Sequence, residues 1–297
     1  ILLGRLYYEA KDYDESLAVF EEILQSGTPT ADLERVLGEI SAKAGKTEKA
    51  LQYCREAIRL GPDDYRNYLA LFIASSVTFT PNEAERIELS PDESLRMLAE
   101  AARLVTKSDG EALYIIGVSY QSVDSLVTAR EYLGRAAEIR PDDERVLLNL
   151  ANVLEKMELY EEAVRYVASL HEKQPDDPTT CNFYGYLLAL MGKELDKAEK
   201  LVRKAIDAEP DNGYYIDSLG WVFFMRGEYD RAVAELERAA KIVENDPTIL
   251  EHLGDAYEAN GRYREAVTAY EKSRTHQRGE NEGLLRKIGE ARKRAGD

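Results

Sequence analysis

Positive charge is in short supply in this chain. Its 39 Lys and Arg face 56 Asp and Glu, leaving a net charge of −17 at neutral pH. A surface that acidic repels phosphate backbones and anionic lipid, so neither nucleic acid nor a bilayer surface is expected as its partner. Long apolar runs are missing too. None approaches the roughly 20 residues needed to cross a bilayer, so no direct membrane insertion is expected. Only 9 prolines occur in 297 residues, too few for a disordered chain. Histidine is scarce as well: His171, His252 and His276 lie far apart without ligand spacing, which argues against zinc. Glycine-rich phosphate loops, dinucleotide fingerprints and nucleophile elbows do not occur, so no cofactor and no enzymatic activity are expected.

What is present is a repeating pattern. The stretch 213–246 reads as two amphipathic helices, roughly 214–225 and 229–244, broken at Arg226-Gly227. With Gly213 as position 1, small residues fall at position 8 (Gly220), 20 (Ala232) and 27 (Ala239), where crossing helices need close backbone approach. Large residues, among them Leu219, Phe223, Val233 and Leu236, fill the spaces between. The pattern recurs along the chain every 34 residues or so, the period of a helix–turn–helix array.

The frame divides the chain into repeats at 1–30, 31–64, 65–109, 110–143, 144–177, 178–212, 213–246 and 247–280, with a helix over 281–297 as a polar cap. Position 20 is Ala or Ser in all eight repeats, and position 8 is Gly or Ala in seven. Proline at position 32 (Pro62, Pro141, Pro175, Pro210) stops the second helix. The third repeat departs, with Phe72 at position 8 and about ten extra residues near 77–91. Start signals at Thr80-Pro81-Asn82-Glu83 and Ser90-Pro91-Asp92-Glu93 predict a short extra helix near 81–89 and a second-helix start at Pro91. Cys54 and Cys181 fall at core-facing positions four repeats apart and are read as buried thiols, not a disulfide. The chain opens at Ile1, without methionine and inside a helical pattern. It reads as an excised fragment, from which an export signal, lipid anchor or earlier repeat would be missing.

The Gly/Ala-8, Tyr-11, Ala-20, Ala-27 skeleton resembles the tetratricopeptide repeat family along the whole chain. The family's frequent tryptophan at position 4 is replaced by residues such as Glu34, Tyr68 and Leu113. The resemblance implies an all-α, right-handed solenoid of about eight repeats plus the C-terminal cap. Residues 178–280 are more closely similar to the C-terminal repeats of bacterial tetratricopeptide proteins. Many of those are exported or lipid-anchored in Gram-negative cells as adaptors or envelope scaffolds. That likeness implies a periplasmic or outer-membrane-anchored location, with the cytoplasm left open.

In the family, positions 2, 5, 6, 9, 12 and 13 line a concave groove. Carried onto this chain, they place there Asn149, Asn152, Asn182, Phe183, Tyr186, Tyr214, Asp217, Trp221, Phe224 and Asp255. Asn149, Asn152 and Asn182 could pair with the backbone of an extended peptide. Tyr186, Trp221 and Phe224 suit apolar anchors or packing between first helices. Asp217, Glu251, Asp255 and Glu258 favour a basic segment. The carboxylate clamp of eukaryotic chaperone-binding arrays is not reproduced: Arg35 and Lys43 are present, but Glu39, Leu69 and Ile73 occupy other groove positions. The expectation is a protein-binding scaffold that takes a peptide or protein segment with basic or apolar character. Its alternative is a structural, self-associating module whose groove is filled by its own packing.

Overall fold

The structure, a computed structural model, describes residues 1–76, 90–106, 108–277, 279 and 281–296. The extra helix expected near 81–89 lies outside the described residues. Seventeen α-helices and no strands occur among the described residues. They run as eight pairs and a last helix: α1 Leu2–Glu9 with α2 Tyr13–Ser26, α3 Ala31–Lys43 with α4 Thr47–Leu60, and α5 Tyr65–Ser76 with α6 Pro91–Leu104. Next come α7 Gly110–Ser122 with α8 Leu126–Ile139, α9 Glu144–Lys156 with α10 Tyr160–Lys173, and α11 Pro178–Leu190 with α12 Leu195–Ala208. The series ends with α13 Gly213–Met225 and α14 Tyr229–Ile242, α15 Pro247–Ala259 and α16 Tyr263–His276, and α17 Glu282–Ala295. Two compact units divide the chain, Ile1–Val153 and Leu154–Asp297. No helix of the described residues is long and apolar enough to cross a membrane.

First and second helices of a pair begin differently, and for a physical reason. First helices open on a side chain that satisfies free backbone N–H groups: Thr30, Asp109, Asp177, Asn212 and Asp246 each accept from the first turn. Most second helices lack such a cap. These helices, together with the Asp12-capped α2, follow a tight turn whose middle residue is left-handed, Lys11, Gly45, Asp124, Glu158, Gly192, Gly227 or Gly261. Around it the chain reaches back five residues, as when Leu159 N–H donates to Leu154 C=O at 2.8 Å, closing the open end of the preceding helix. The one-residue expansion at Gly192–Leu195 is absorbed by a second left-handed residue, Glu194.

Helix α6 is an exception with a complete capping box. Glu93 N–H donates to Ser90 Oγ at 3.2 Å, and the Glu93 carboxylate accepts from Ser90 N–H at 3.1 Å. Ser90→Ala is expected to cost about 1 kcal/mol, read as a lower urea midpoint by circular dichroism.

Packing within each pair follows the small residues. At Gly185 on α11, an added Cβ would sit 2.8 Å from the Ala198 carbonyl and 2.7 Å from Val202. Only glycine permits that crossing, and Leu187, Ala198, Val202 and Ala205 around it are fully buried. Phe72 stands at the equivalent position of α5 and is buried too. At the C-terminus, Leu284, Ile288 and Ala291 of α17 close over Ala266 and Tyr270, leaving a polar outer face.

Successive pairs are also tied by polar side chains about one repeat apart. Lys46 reaches Asp14 at 2.5 Å, Tyr53 donates to Glu21 at 2.8 Å, Arg145 reaches Glu111 at 3.0 Å, and Lys193 reaches Glu161 at 3.0 Å. These groups are largely exposed, so each tie contributes little alone.

Candidate peptide groove

In the second unit, α11, α13 and α15 pack side by side and carry most of the expected groove residues. Asp217 on α13 and His252 on α15 are both buried. The His252 Nδ1–H donates to the two Asp217 oxygens at 3.0 and 3.1 Å. Burial alone would lower the His252 value, but the adjacent Asp217 carboxylate outweighs it and raises the imidazole above its usual range. One helical turn beyond Asp217, the Trp221 ring stacks on His252 (4.3 Å, 25°) and on Phe224 (4.7 Å, 15°). Tyr186 on α11 stands 6.3 Å from the His252 ring. Burial, then the charges of Glu155 and Asp217, push its phenol far up, so it keeps its proton. Burial also raises the Glu155 carboxyl above the usual range.

Two polar atoms of this surface are left over. The Trp221 indole N–H and the Asn182 amide oxygen are buried with no hydrogen-bond partner among the described residues. Phe183 is half-buried on α11, and Tyr214 is 54% exposed at the start of α13.

The acidic end is differently arranged from what residue type suggests. Lys287 of α17 reaches both Glu251 and Asp255 at 2.8 Å, and Arg294 reaches Glu258 at 3.1 Å. Tyr270 Oη also donates to Asp255 at 2.7 Å and Glu258 at 3.0 Å. With Asp217 held by His252, all four acids are matched within the chain, so a partner's cations would have to displace existing ones. Asn149 and Asn152 lie in the first unit, and both are engaged there. Asn149 donates to Tyr114 Oη at 3.3 Å and to the Arg145 carbonyl at 2.8 Å; Asn152 accepts from Gln121 at 3.1 Å. The structure thus brings together Tyr186, Asp217, Trp221, Phe224 and His252, the last a groove position of the eighth repeat. A histidine at position 6 facing an aspartate at position 5 of the preceding repeat is the sequence signal for that pair.

One further pair has the residue types of a nucleophilic site. The Cys181 Sγ lies 3.7 Å from His171 Nδ1, but its thiol also donates to the Pro175 carbonyl at 3.3 Å. Burial raises the thiol's value, the opposite of what an attacking thiolate needs. Cys54, with its thiol pushed up to about 12 by burial, is equally inert. Both cysteines are free.

Tetratricopeptide repeat models match residues 1–65, 124–179, 220–261 and 248–282. The chain is a tetratricopeptide repeat protein. Among curated proteins, a TPR repeat-containing protein of Methanocaldococcus jannaschii is 30% identical over 131 residues, covering 44% of this chain and 23% of that protein. The human protein O-mannosyl-transferase TMTC1 is 25% identical over 84% of this chain, but over only 24% of its own length. The repeat array thus spans about a quarter of the length of the curated relatives it matches. Among solved structures, a tetratricopeptide repeat protein from Parabacteroides merdae superposes with a TM-score of 0.72 at 16% identity, covering 88% of this chain and 98% of that one. The repeats therefore share that protein's fold at low sequence identity.

Proposed function

We propose that this chain is a non-catalytic adaptor that holds an extended segment of a partner protein along α11, α13 and α15. One observation carries the reading: the groove contains a buried donor, the Trp221 indole N–H, and a buried acceptor, the Asn182 amide oxygen, each without a partner among the described residues. An unmet buried polar group costs about 1–3 kcal/mol, and a peptide backbone supplies both a carbonyl and an N–H. Trp221, Phe224 and Tyr186 form the apolar wall beside them, suited to anchoring a side chain of the segment. Because the acids here already hold Lys287, Arg294 and His252, recognition rests on shape, apolar contact and backbone hydrogen bonds more than on charge.

The test compares pull-downs from the source cell using wild type and a Trp221→Ala, Phe224→Ala double variant shown by circular dichroism to be folded. Partners kept by wild type and lost by the variant place binding in this groove. Equal recovery moves the site elsewhere. If neither form retains a partner while sedimentation shows mass rising with concentration, the self-associating reading replaces this one.

A further inference from the structure

Position 4 of the repeat frame, in the first turn of each first helix, is apolar and buried in the later repeats: Leu113, Leu147, Cys181, Ile216 and Leu250. The second repeat puts a carboxylate there, Glu34, and the fold leaves it only 4% exposed. Among the described residues, Glu34 and Asp217 are the two buried carboxylates. Asp217 has His252 as its partner; Glu34 has neither a hydrogen bond nor an ion pair among the described residues. Burial, with the charge of Glu56 behind it, raises the Glu34 carboxyl above its usual range, and Arg59 opposes this only in part. A helix N-terminus favours negative charge, but Asp32 supplies that from the surface of the same turn. The helix dipole therefore does not explain a buried acid.

Glu34 does not face a sealed core. It lines a hollow of about 760 Å³, open to solvent, together with Leu24 of α2 and a row of α4 side chains that includes Tyr53, Glu56 and Arg59. This is the second-helix side of the first unit, and none of the lining residues holds a concave-groove position. Two cations of the hollow are already engaged: Lys49 donates to Glu21 at 2.7 Å, and Arg59 holds Glu56 at 2.5 and 2.8 Å. Glu48 and Arg55 are exposed and offset each other in charge. What stays unmatched inside is one desolvated carboxylate beside the apolar and aromatic surface of Leu24 and Tyr53. No group of three side chains suited to a metal ion occurs among the described residues. An alkylammonium needs less, a single acid and apolar surface along its stem.

We propose that this hollow binds a primary ammonium group carried on an aliphatic stem, with Glu34 as its carboxylate partner and Leu24 and Tyr53 against the stem. A free alkylamine and a lysine side chain of a partner protein present the same chemistry. The arriving charge meets a carboxylate that the fold has already desolvated, so water competes less for the ion pair than at an exposed acid. The site shares no residue with the groove along α11, α13 and α15, and it stands or falls apart from that groove.

Titration of the full chain, followed by backbone-amide NMR at constant ionic strength, tests this. The probes are n-butylammonium chloride, the acetylated and amidated tripeptide Gly-Lys-Gly, and n-butanol as the neutral analogue. The expected result is a saturable shift of amides around Glu34 and along α4 with at least one of the two cations, and none with n-butanol. Tighter binding of butylammonium assigns the hollow to a free amine; tighter binding of the peptide assigns it to a partner's lysine. Glu34→Gln keeps the side chain's size and removes its charge, so binding should weaken at least about tenfold, equivalent to about 1.4 kcal/mol. Glu48→Gln, at the exposed acid of the same hollow, should leave it within about twofold. Without amine, Glu34→Gln should unfold at an equal or higher urea midpoint, because it removes an unpaired buried charge. A lower midpoint makes the carboxylate a packing element of the fold and overturns the proposal. So does n-butanol binding as well as the cations, equal binding by wild type and Glu34→Gln, or no saturable shift with either cation.

Discussion

Asp217→Ala is expected to lower the stability of the second unit by about 3 kcal/mol at pH 6, the cost of removing one partner from a buried ion pair. The size of the loss follows from where the pair sits. His252 and Asp217 are both buried, the carboxylate accepts at 3.0 and 3.1 Å, and Trp221 stacks over the imidazole. Without Asp217 the ring must either stay charged in a poorly solvated place or give up its proton. Glu251 and Asp255 lie on the same helix but are occupied by Lys287, so they replace the lost carboxylate only in part.

The pH dependence sharpens the prediction. In wild type the folded His252 value lies above its ordinary 6.5. The stability it contributes is therefore fully present below 6.5 and is lost as pH rises through the elevated folded value. In the variant that alkaline loss should largely disappear, since burial alone lowers the folded value. The difference between the two proteins should shrink to about 1 kcal/mol at pH 9, where only a neutral hydrogen bond is missing. Trp221 is the chain's one tryptophan, so its fluorescence during urea unfolding reports on this unit directly. An equal destabilisation at pH 6 and pH 9 would sink the argument.

Gly185→Val should be at least as damaging, at about 3 kcal/mol or more, by a mechanism indifferent to pH. Its new Cβ would lie 2.7 Å from a Val202 methyl and 2.8 Å from the Ala198 carbonyl. The methyl can rotate aside; the backbone oxygen cannot, so α11 and α12 must separate and loosen the buried Leu187, Ala198 and Val202. Gly134 on α8 is the control. A Cβ there meets nothing within 4 Å, so Gly134→Ala should be neutral or stabilise by about 0.5–1 kcal/mol. Urea midpoints that move alike for both substitutions would contradict the crossing argument.

The fold was legible because steric need repeats with the chain. Small residues at positions 8, 20 and 27 mark where helices cross, and an identical requirement in each repeat shows as a period. The left-handed turn residue is legible only in part. Gly45, Gly192, Gly227 and Gly261 announce it, Asp124 hints at it, and Lys11 and Glu158 adopt the same backbone without a residue type that signals it.

The site was less readable, since a polar residue does not name its partner. Position-based reading puts Trp221, Phe224 and Tyr186 on one surface, where they are found. It treats Asp217, Glu251, Asp255 and Glu258 as free acids waiting for a basic segment. Each is instead matched by a side chain of the chain itself, often about one repeat on, as in the 35 residues from Asp217 to His252 or the 36 from Glu251 to Lys287. Asn149 is likewise committed to Tyr114, 35 residues earlier.

The ties from one repeat to the next, Lys46 to Asp14 or Lys193 to Glu161, have a mechanical corollary. Each unit is a series of links in which a load passes from neighbour to neighbour, with no long-range brace among the described residues to share it. Pulled from its ends, such a series yields at its weakest link first and extends in steps. Because the ties are exposed ion pairs, added salt screens them and should make the spring more compliant while leaving the buried helix crossings intact.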